Sequence, residues 1–373
     1  MVAGLLTTQA FAAQNVANTS QKGSLLIFPL IDVRTTDLAT TIIDISNDAN
    51  QTALLNCYYI NDHKARVDFS FPVSPKGTAS WDVLTHSGGI APPAWPLGGT
   101  FLQGDPNTGE LVCFAVDGPG AHQVRFNHLT GTATVVYFND KDANQHKQAF
   151  KYNAWAFTAR TGEVTPPPDG TPVGTPGDLA LTGSNDDDSY DACPLYLIGV
   201  FSPGGLDRLG RPNVLGGVTY KDNDLSVSSC SQDLRQDFKI NLTKIQFTVW
   251  NAFEENFTGA WQCSDSVLTF GLDDPADYVP VNSQLVNFTY SQLQTSNARF
   301  MAQGVASTQC PGSQYAGLLG VLTTSVGLDG IGGVGIENED AEIGNTIHGA
   351  GTETGFVLWD PAQSIVPEKT GRH

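Results

Sequence analysis

Residues 40–61 read TTIIDISNDANQTALLNCYYIN. Within Thr40–Ser46, Ile43 and Ile45 alternate with Asp44 and Ser46, a period of two that gives a strand one apolar face. Asn47, Asp48, Asn50 and Gln51 follow, and Asn and Asp favour turns because their side chains bond nearby backbone. Ala53–Ile60 is then a second strand, rich in Leu, Tyr and Ile. Strand, polar turn and strand in close succession decide the fold class: this is β, not helical.

The same reading extends in both directions. Ser24–Ile31, Arg66–Phe71, Leu111–Asp117, Gly131–Phe138 and Lys151–Phe157 read as strands in the first half. Leu195–Phe201, Leu225–Cys230, Lys244–Trp250, Val267–Phe270, Leu285–Tyr290, Ala298–Gly304 and Gly317–Thr323 do so in the second, with two more near the C-terminus. Only Asn139–Phe150 and Tyr290–Gln294 offer short helices. Between the halves lies RTGEVTPPPDGTPVGTPGDLALTGSNDDDSYD, residues 160–191. Proline removes a donor and fixes φ, so this stretch reads as an extended spacer. The expectation is an all-β chain of two Ig-like or jelly-roll-type β-sandwich domains. They occupy residues 23–160 and 192–365 and are joined by the Pro/Gly/Asp-rich linker 161–191. Residues 1–22 read as a signal-peptide remnant and N-terminal arm, and 366–373 as a tail.

Charge and composition exclude some partners. Of 373 residues, 19 are Lys or Arg and 38 Asp or Glu, so the formal charge is −19. An acidic chain without a basic block is a poor match for phosphate backbones, which argues against nucleic acid. A hydrophobic content of 40% is too high for a disordered acidic tail. No run is long and apolar enough for a transmembrane helix.

Ala10, Phe11 and Ala12 ahead of Ala13 form a small-x-small cleavage pattern, as in a secretory signal, although no Lys or Arg precedes Lys22. The cysteines are Cys57, Cys113, Cys193, Cys230, Cys263 and Cys310, none in a C-x-x-C pair. Zinc-ribbon and dithiol spacings are therefore missing, and disulfides in an oxidising compartment are expected. Six cysteines allow many pairings. A two-and-four split by the linker leaves few, of which we favour Cys57–Cys113, Cys193–Cys230 and Cys263–Cys310. Five N-x-S/T sites, at Asn18, Asn50, Asn241, Asn256 and Asn287, make glycosylation chemically available.

KGSLLIFPLIDVR, TTIIDISNDANQTALLNCYYIN, ELVCFAVD with VRFNHLTGTA, YDACPLYLIGVFSPG, and DLSVSSCSQDL with IQFTVWNAFEENF together resemble a family of exported, β-rich bacterial proteins of unknown function. The resemblance spans most of residues 22–325. It implies secretion and an all-β fold. It implies no catalytic residue.

No motif identifies a reaction. Gly330, Gly332, Gly333 and Gly335 spell G-x-G-x-x-G, but acidic residues follow at once, and a dinucleotide site needs a helix there. The stretch reads instead as a Gly-rich hairpin and an assembly surface. There is no G-x-S-x-G elbow and no H-E-x-x-H. His122 and His128 are close in sequence, and the expectation for such a pair is a structural role. Glu254 and Glu255 are adjacent, and adjacent strand residues point to opposite faces, so they cannot form a glycosidase pair alone. Trp250, Phe253, Phe257 and Trp261 are expected to fill the second core, with a sugar-stacking platform as the rival reading.

Acidic loops at 140–142, 186–191, 222–224, 273–277 and 337–342 supply the oxygen ligands calcium prefers. Asp186, Asp187, Asp188 and Asp191 are the candidate calcium ligands; otherwise no cofactor is expected, and solvated turns are the rival reading. The expected function is an exported structural or interaction protein of the cell surface or extracellular matrix. Self-association into a filament or layer, other surface proteins and glycans are the expected partners. A glycan- or protein-binding module is the alternative, and a hydrolase without a recognisable motif the second.

Overall fold

Two kinds of apolar pattern run along this chain, and they sort its strands into inner and outer layers. Strands with an unbroken apolar run must be covered on both faces, whereas alternating strands need one covered face. The computed structural model describes residues 16–34, 39–99, 105–118, 123–138, 147–159, 181, 183, 190–215, 217–230, 242–264, 267–273, 283–284, 288–327, 340–345 and 347–352.

In chain order the strands are β1 (Leu25–Asp32), β2 (Ala39–Asn47), β3 (Ala53–Asn61), β4 (Arg66–Val73), β5 (Thr78–Asp82), β6 (Thr108–Val116), β7 (Leu129–Phe138), β8 (Lys147–Asn153) and β9 (Trp155–Phe157). The second half continues with β10 (Pro194–Phe201), β11 (Val214–Leu215), β12 (Val218–Cys230), β13 (Thr243–Asn251), β14 (Asn256–Ser264), β15 (Val267–Gly271) and β16 (Ser283–Gln284). One helical turn, α1 (Tyr290–Leu293), precedes β17 (Ala298–Val305), β18 (Gly317–Gly327), β19 (Asp340–Asn345) and β20 (Ile347–Thr352). Thr289 caps that turn, its hydroxyl accepting from Gln292 N. The Lys147–Phe150 stretch, read as helical from sequence, is instead strand, because it pairs with β7.

All pairing is antiparallel between the named strands. The first sheet is ordered β5-β2-β7-β8 and the second β4-β3-β6-β1-β9. The third is β11-β12-β18-β19, with β15 also on β12, and the fourth β16-β14-β13-β17-β10-β20. Pro29 lacks a donor, and the β1–β6 register shifts between Phe28 and Ile31 around it.

The sheets stack face to face. Ile43, Ile45, Ala133 and Val135 of the first pack on Leu26, Phe28, Leu55 and Tyr59 of the second. The opposite face of the second sheet, with Leu25, Ile27, Val112 and Phe114, joins a cluster that includes Leu225, Leu319 and Leu322 of the third. The third then lies on Ile245, Phe247, Val249 and Phe300 of the fourth. Gly320 of β18 permits this last approach, since a Cβ there would sit 2.8 Å from Leu197 Cδ1. Every residue of β1 is buried, as are almost all of β3, β6 and β18, whereas β13 alternates buried and half-buried throughout.

The all-β reading therefore stands. The packing is finer than two sandwiches held apart. Small antiparallel sheets follow one another face to face, as propeller blades do, and one apolar cluster takes residues from both halves. Trp155 Nε1 donates to Gly320 O at 3.1 Å, and Ser228 Oγ donates to Glu110 Oε2 at 2.5 Å, both across the halves.

Described parts of the expected spacer and arm are docked. Leu181, Tyr190 and Asp191 are buried. Ala17 is buried too, and its N–H donates to Ala192 O at 3.1 Å. Asn18 exchanges backbone hydrogen bonds with Ala156. The described part of the arm, from Val16 to Gly23, is thus paired with the body of the protein.

The cysteines pair as Cys57–Cys113, Cys193–Cys230 and Cys263–Cys310. Cys57 and Cys113 stand directly opposite on β3 and β6, inside the core. Each closed loop contributes roughly 4 kcal/mol in the chain-entropy account.

Candidate interaction face

Period two places the side chains of the fourth sheet. On β13, Ile245, Phe247 and Val249 point inward, so Lys244, Gln246, Thr248 and Trp250 point outward. The neighbouring register brings Arg299, Met301 and Gln303 of β17 opposite them, then Val200, Ile198 and Tyr196 of β10. A bulge between Gln246 and Thr248 resets β14 so that Trp261 lies opposite Gln246 and on the outer face.

This face is aromatic and cationic. The Arg299 guanidinium sits 4.7 Å from the centroid of the Trp250 ring, and Lys244 Nζ 5.2 Å from that of Trp261. Such contacts are attractive because the ring face is negative. Lys244 Nζ also donates to Gln309 Oε1 at 2.6 Å, and partial burial holds its ammonium below the usual lysine range. Gln246 Nε2 donates to Gln303 Oε1 at 3.2 Å. None of the outward positions named here on β10, β13, β14 and β17 is a carboxylate, in a chain of charge −19. Ile198 and Val200 of β10, between β17 and β20, are exposed, and Phe253, at the β13–β14 turn, is 72% exposed.

The outer face of the first sheet differs. Ser80 Oγ donates to Asp44 Oδ1 at 2.5 Å, Thr40 Oγ1 to Asp82 Oδ1 at 3.1 Å, and Ser46 pairs with Thr78 at 2.8 Å. Lys151 Nζ reaches Asp44 at 3.4 Å. That face pairs many of its polar groups with one another, with Ile42 and Phe138 exposed among them. The fourth sheet instead carries half-buried Trp250 and Trp261 beside exposed Ile198 and Val200.

These positions correct the expectation that Trp250, Phe253, Phe257 and Trp261 fill the second core. Phe257 does pack against it. Trp250 and Trp261 are only half-buried, on the outer face. The reason is parity: Ile245, Phe247 and Val249 already occupy the inward positions. Trp155 and Trp95, in contrast, are core residues. Glu254 and Glu255 lie in a turn rather than on a strand, since Asn251 Oδ1 accepts the N–H groups of Phe253 and Glu255, both at 3.0 Å.

Other sequence candidates go elsewhere. His128 Nδ1 is 2.6 Å from Asp48 Oδ1, and Lys22 also pairs with Asp48. Lys22 and then His128 hold that carboxyl below the usual carboxylate range. His122, Asp186, Asp187, Asp188, Gly330, Gly332, Gly333 and Gly335 lie outside the described residues. Asp191 is buried, and its Oδ2 accepts from Thr158 N and Gln21 Nε2, both at 2.8 Å. Among the described residues, no group of three or more His, Cys, Asp or Glu is placed to hold a metal ion. Among them, too, no helix is long and apolar enough to cross a membrane.

One buried carboxylate is structural and strongly perturbed. Asp273 accepts from Gly204 N at 2.5 Å, Asn223 N at 2.7 Å and Asn223 Nδ2 at 2.5 Å. Burial nevertheless pushes its carboxyl up to about 6. This network fixes the turn after β10 at the end of the open face. Gly204 is required there, because a Cβ would lie 1.8 Å from Lys221 O.

No protein-family model matches the chain, and no curated protein is similar to it. A solved structure titled "Crystal Structure of Thermotoga maritima 1070" is similar over 36% of this chain and 95% of its own. Identity is 8% and the TM-score 0.24, a likeness too low to carry any argument.

Proposed function

We propose that the chain is an exported structural or interaction protein of the cell surface or extracellular matrix, and that it works through the outer face of its fourth sheet. One observation carries the reading: on an acidic chain, an outer sheet face bears half-buried Trp250, Trp261, Met301 and Lys244 beside exposed Arg299, Ile198 and Val200. Surface of this kind is what interaction sites are made of, since Trp and Arg dominate binding energy. Three disulfides support a location where thiols oxidise.

The test is co-sedimentation of the purified chain with envelope material of the producing cell. The wild type is expected in the pellet and a Trp250→Ser, Trp261→Ser variant in the supernatant. Equal retention of both sinks the proposal.

A second reading rests on the same two indoles and the Gln246–Gln303 amide pair that links β13 to β17 beside them. Rings and amides together suit a glycan, which stacks on the one and bonds the other. Titration with soluble oligosaccharides, followed by tryptophan fluorescence, checks it. No change with any of them removes it.

A further inference from the structure

We infer that the hairpin Gly205–Leu215 docks onto a second copy of this chain. Its apolar side chains are turned to solvent: Leu206 is 54% exposed, Leu209 75%, Val214 51% and Leu215 52%. A loose loop can fold such groups against itself. This one is fixed by its own bonds. Asp207 N donates to Arg211 O at 2.7 Å, and Gly210 N to Asp207 O at 3.0 Å. Asp207 Oδ1 accepts from Leu209 N at 2.8 Å and Arg211 N at 2.9 Å, while Arg211 Nε donates to Oδ2 at 2.9 Å.

The base is equally held. Asn213 is buried and donates to Pro203 O at 2.9 Å and Ser296 O at 3.1 Å. Gly204 N is bound by Asp273, and Gly204 O accepts from Tyr290 N at 2.9 Å. The backbone therefore presents four aliphatic groups outward, and none folds back against the hairpin's own described residues. Val214 and Leu215 are neighbours on one strand and face opposite sides, so the projection is apolar on both. Exposed apolar groups held in place in this way mark a contact site.

Charge selects the occupant. The hairpin holds Arg208 and Arg211 against Asp207, a net of +1, so the rest of the chain carries −19 − 1 = −20. A cationic, apolar projection on an acidic body is complementary to the body of another copy. Two hairpins meeting tip to tip would set arginine against arginine. The contact thus runs from hairpin to body, a head-to-tail arrangement that propagates into a ring or filament. An anionic lipid surface is disfavoured because it repels the acidic body. The inference deepens the reading of an interaction protein by naming self-association at a second surface, and rests on that reading only for its setting outside the cell.

Sedimentation velocity of the full chain over a range of concentrations tests it, for wild type, Leu209→Asp, and the Trp250→Ser, Trp261→Ser variant. The wild type is expected to associate as concentration rises, less so at high salt. Leu209→Asp is expected to weaken association roughly tenfold or more, with an unchanged circular dichroism spectrum and melt because the side chain is exposed. A wild type that stays monomeric, or a Leu209→Asp variant that associates like it, overturns the inference. So does Leu209-dependent pelleting with phosphatidylglycerol vesicles, which would make lipid the occupant. Association lost in the tryptophan variant but kept in Leu209→Asp overturns the hairpin contact while leaving the open-face reading standing.

Discussion

The indole Nε1 of Trp155, on the second sheet, donates to the carbonyl of Gly320, on the third, at 3.1 Å. Trp155 is fully buried, and the two residues come from opposite halves of the chain. The halves therefore share stability as well as a surface. Trp155→Phe keeps most of the ring but leaves the Gly320 carbonyl without its indole donor. The expected cost is about 1–3 kcal/mol. In urea unfolding, probes in both halves should move to the same lower midpoint. Separate midpoints for the two halves would contradict the shared core.

Asp273 makes stability depend on pH in an unusual direction. Its native carboxyl titrates near 6 against an ordinary value of 3.8. Between those values the folded chain holds a proton that the unfolded chain has lost. The contribution of this group to stability is thus greatest below pH 4 and falls as pH rises to 6. The loss is about 3 kcal/mol. Asp273→Asn should remove that slope between pH 4 and 6, at the cost of an N–H donor facing other N–H donors. Urea midpoints at closely spaced pH values, wild type against variant, check it. Identical slopes would assign the dependence to another group.

The disulfides differ in access. Cys57, Cys113, Cys193, Cys230 and Cys310 are buried, whereas Cys263 is half-buried on the outer face of the fourth sheet. Thiolate attack needs an accessible sulfur. Mild reductant under native conditions is expected to open Cys263–Cys310 first, and alkylation followed by mass spectrometry reads the order. Early loss of Cys57–Cys113 would mean that the first core opens more readily than its packing implies.

Most strands were legible because period two is a local property. Ile43 and Ile45, or Ile245, Phe247 and Val249, declare their faces without any knowledge of the partner. The layer order was written in the same residues but needs a further step. LLIFPLI and LVCFAV are apolar at every position, which is how a sheet covered on both faces reads. Four strands escaped: β11 and β16 because two residues carry no period, and β5 and β14 because TASWD and NFTGAWQCS mix glycine, serine and asparagine with few aliphatics. The sites were harder to read. Whether Trp250 lies inside or outside is set by parity against β13, and Trp261 by a bulge that the sequence does not announce. The hairpin at Leu206–Leu215 looks like an ordinary Gly- and Pro-containing loop. Only the buried Asn213 and Asp273 beneath it show that it is held rigid.

The central claim is that the outer face of the fourth sheet is covered when the protein is at work. Hydroxyl-radical footprinting compares the purified chain with native cell-exterior material, reading oxidation at Trp250, Trp261 and Met301 by mass spectrometry, with buried Trp155 as the internal reference. The account predicts that all three are oxidised in the purified chain and protected in the native material. Equal oxidation of the three in both samples would contradict it.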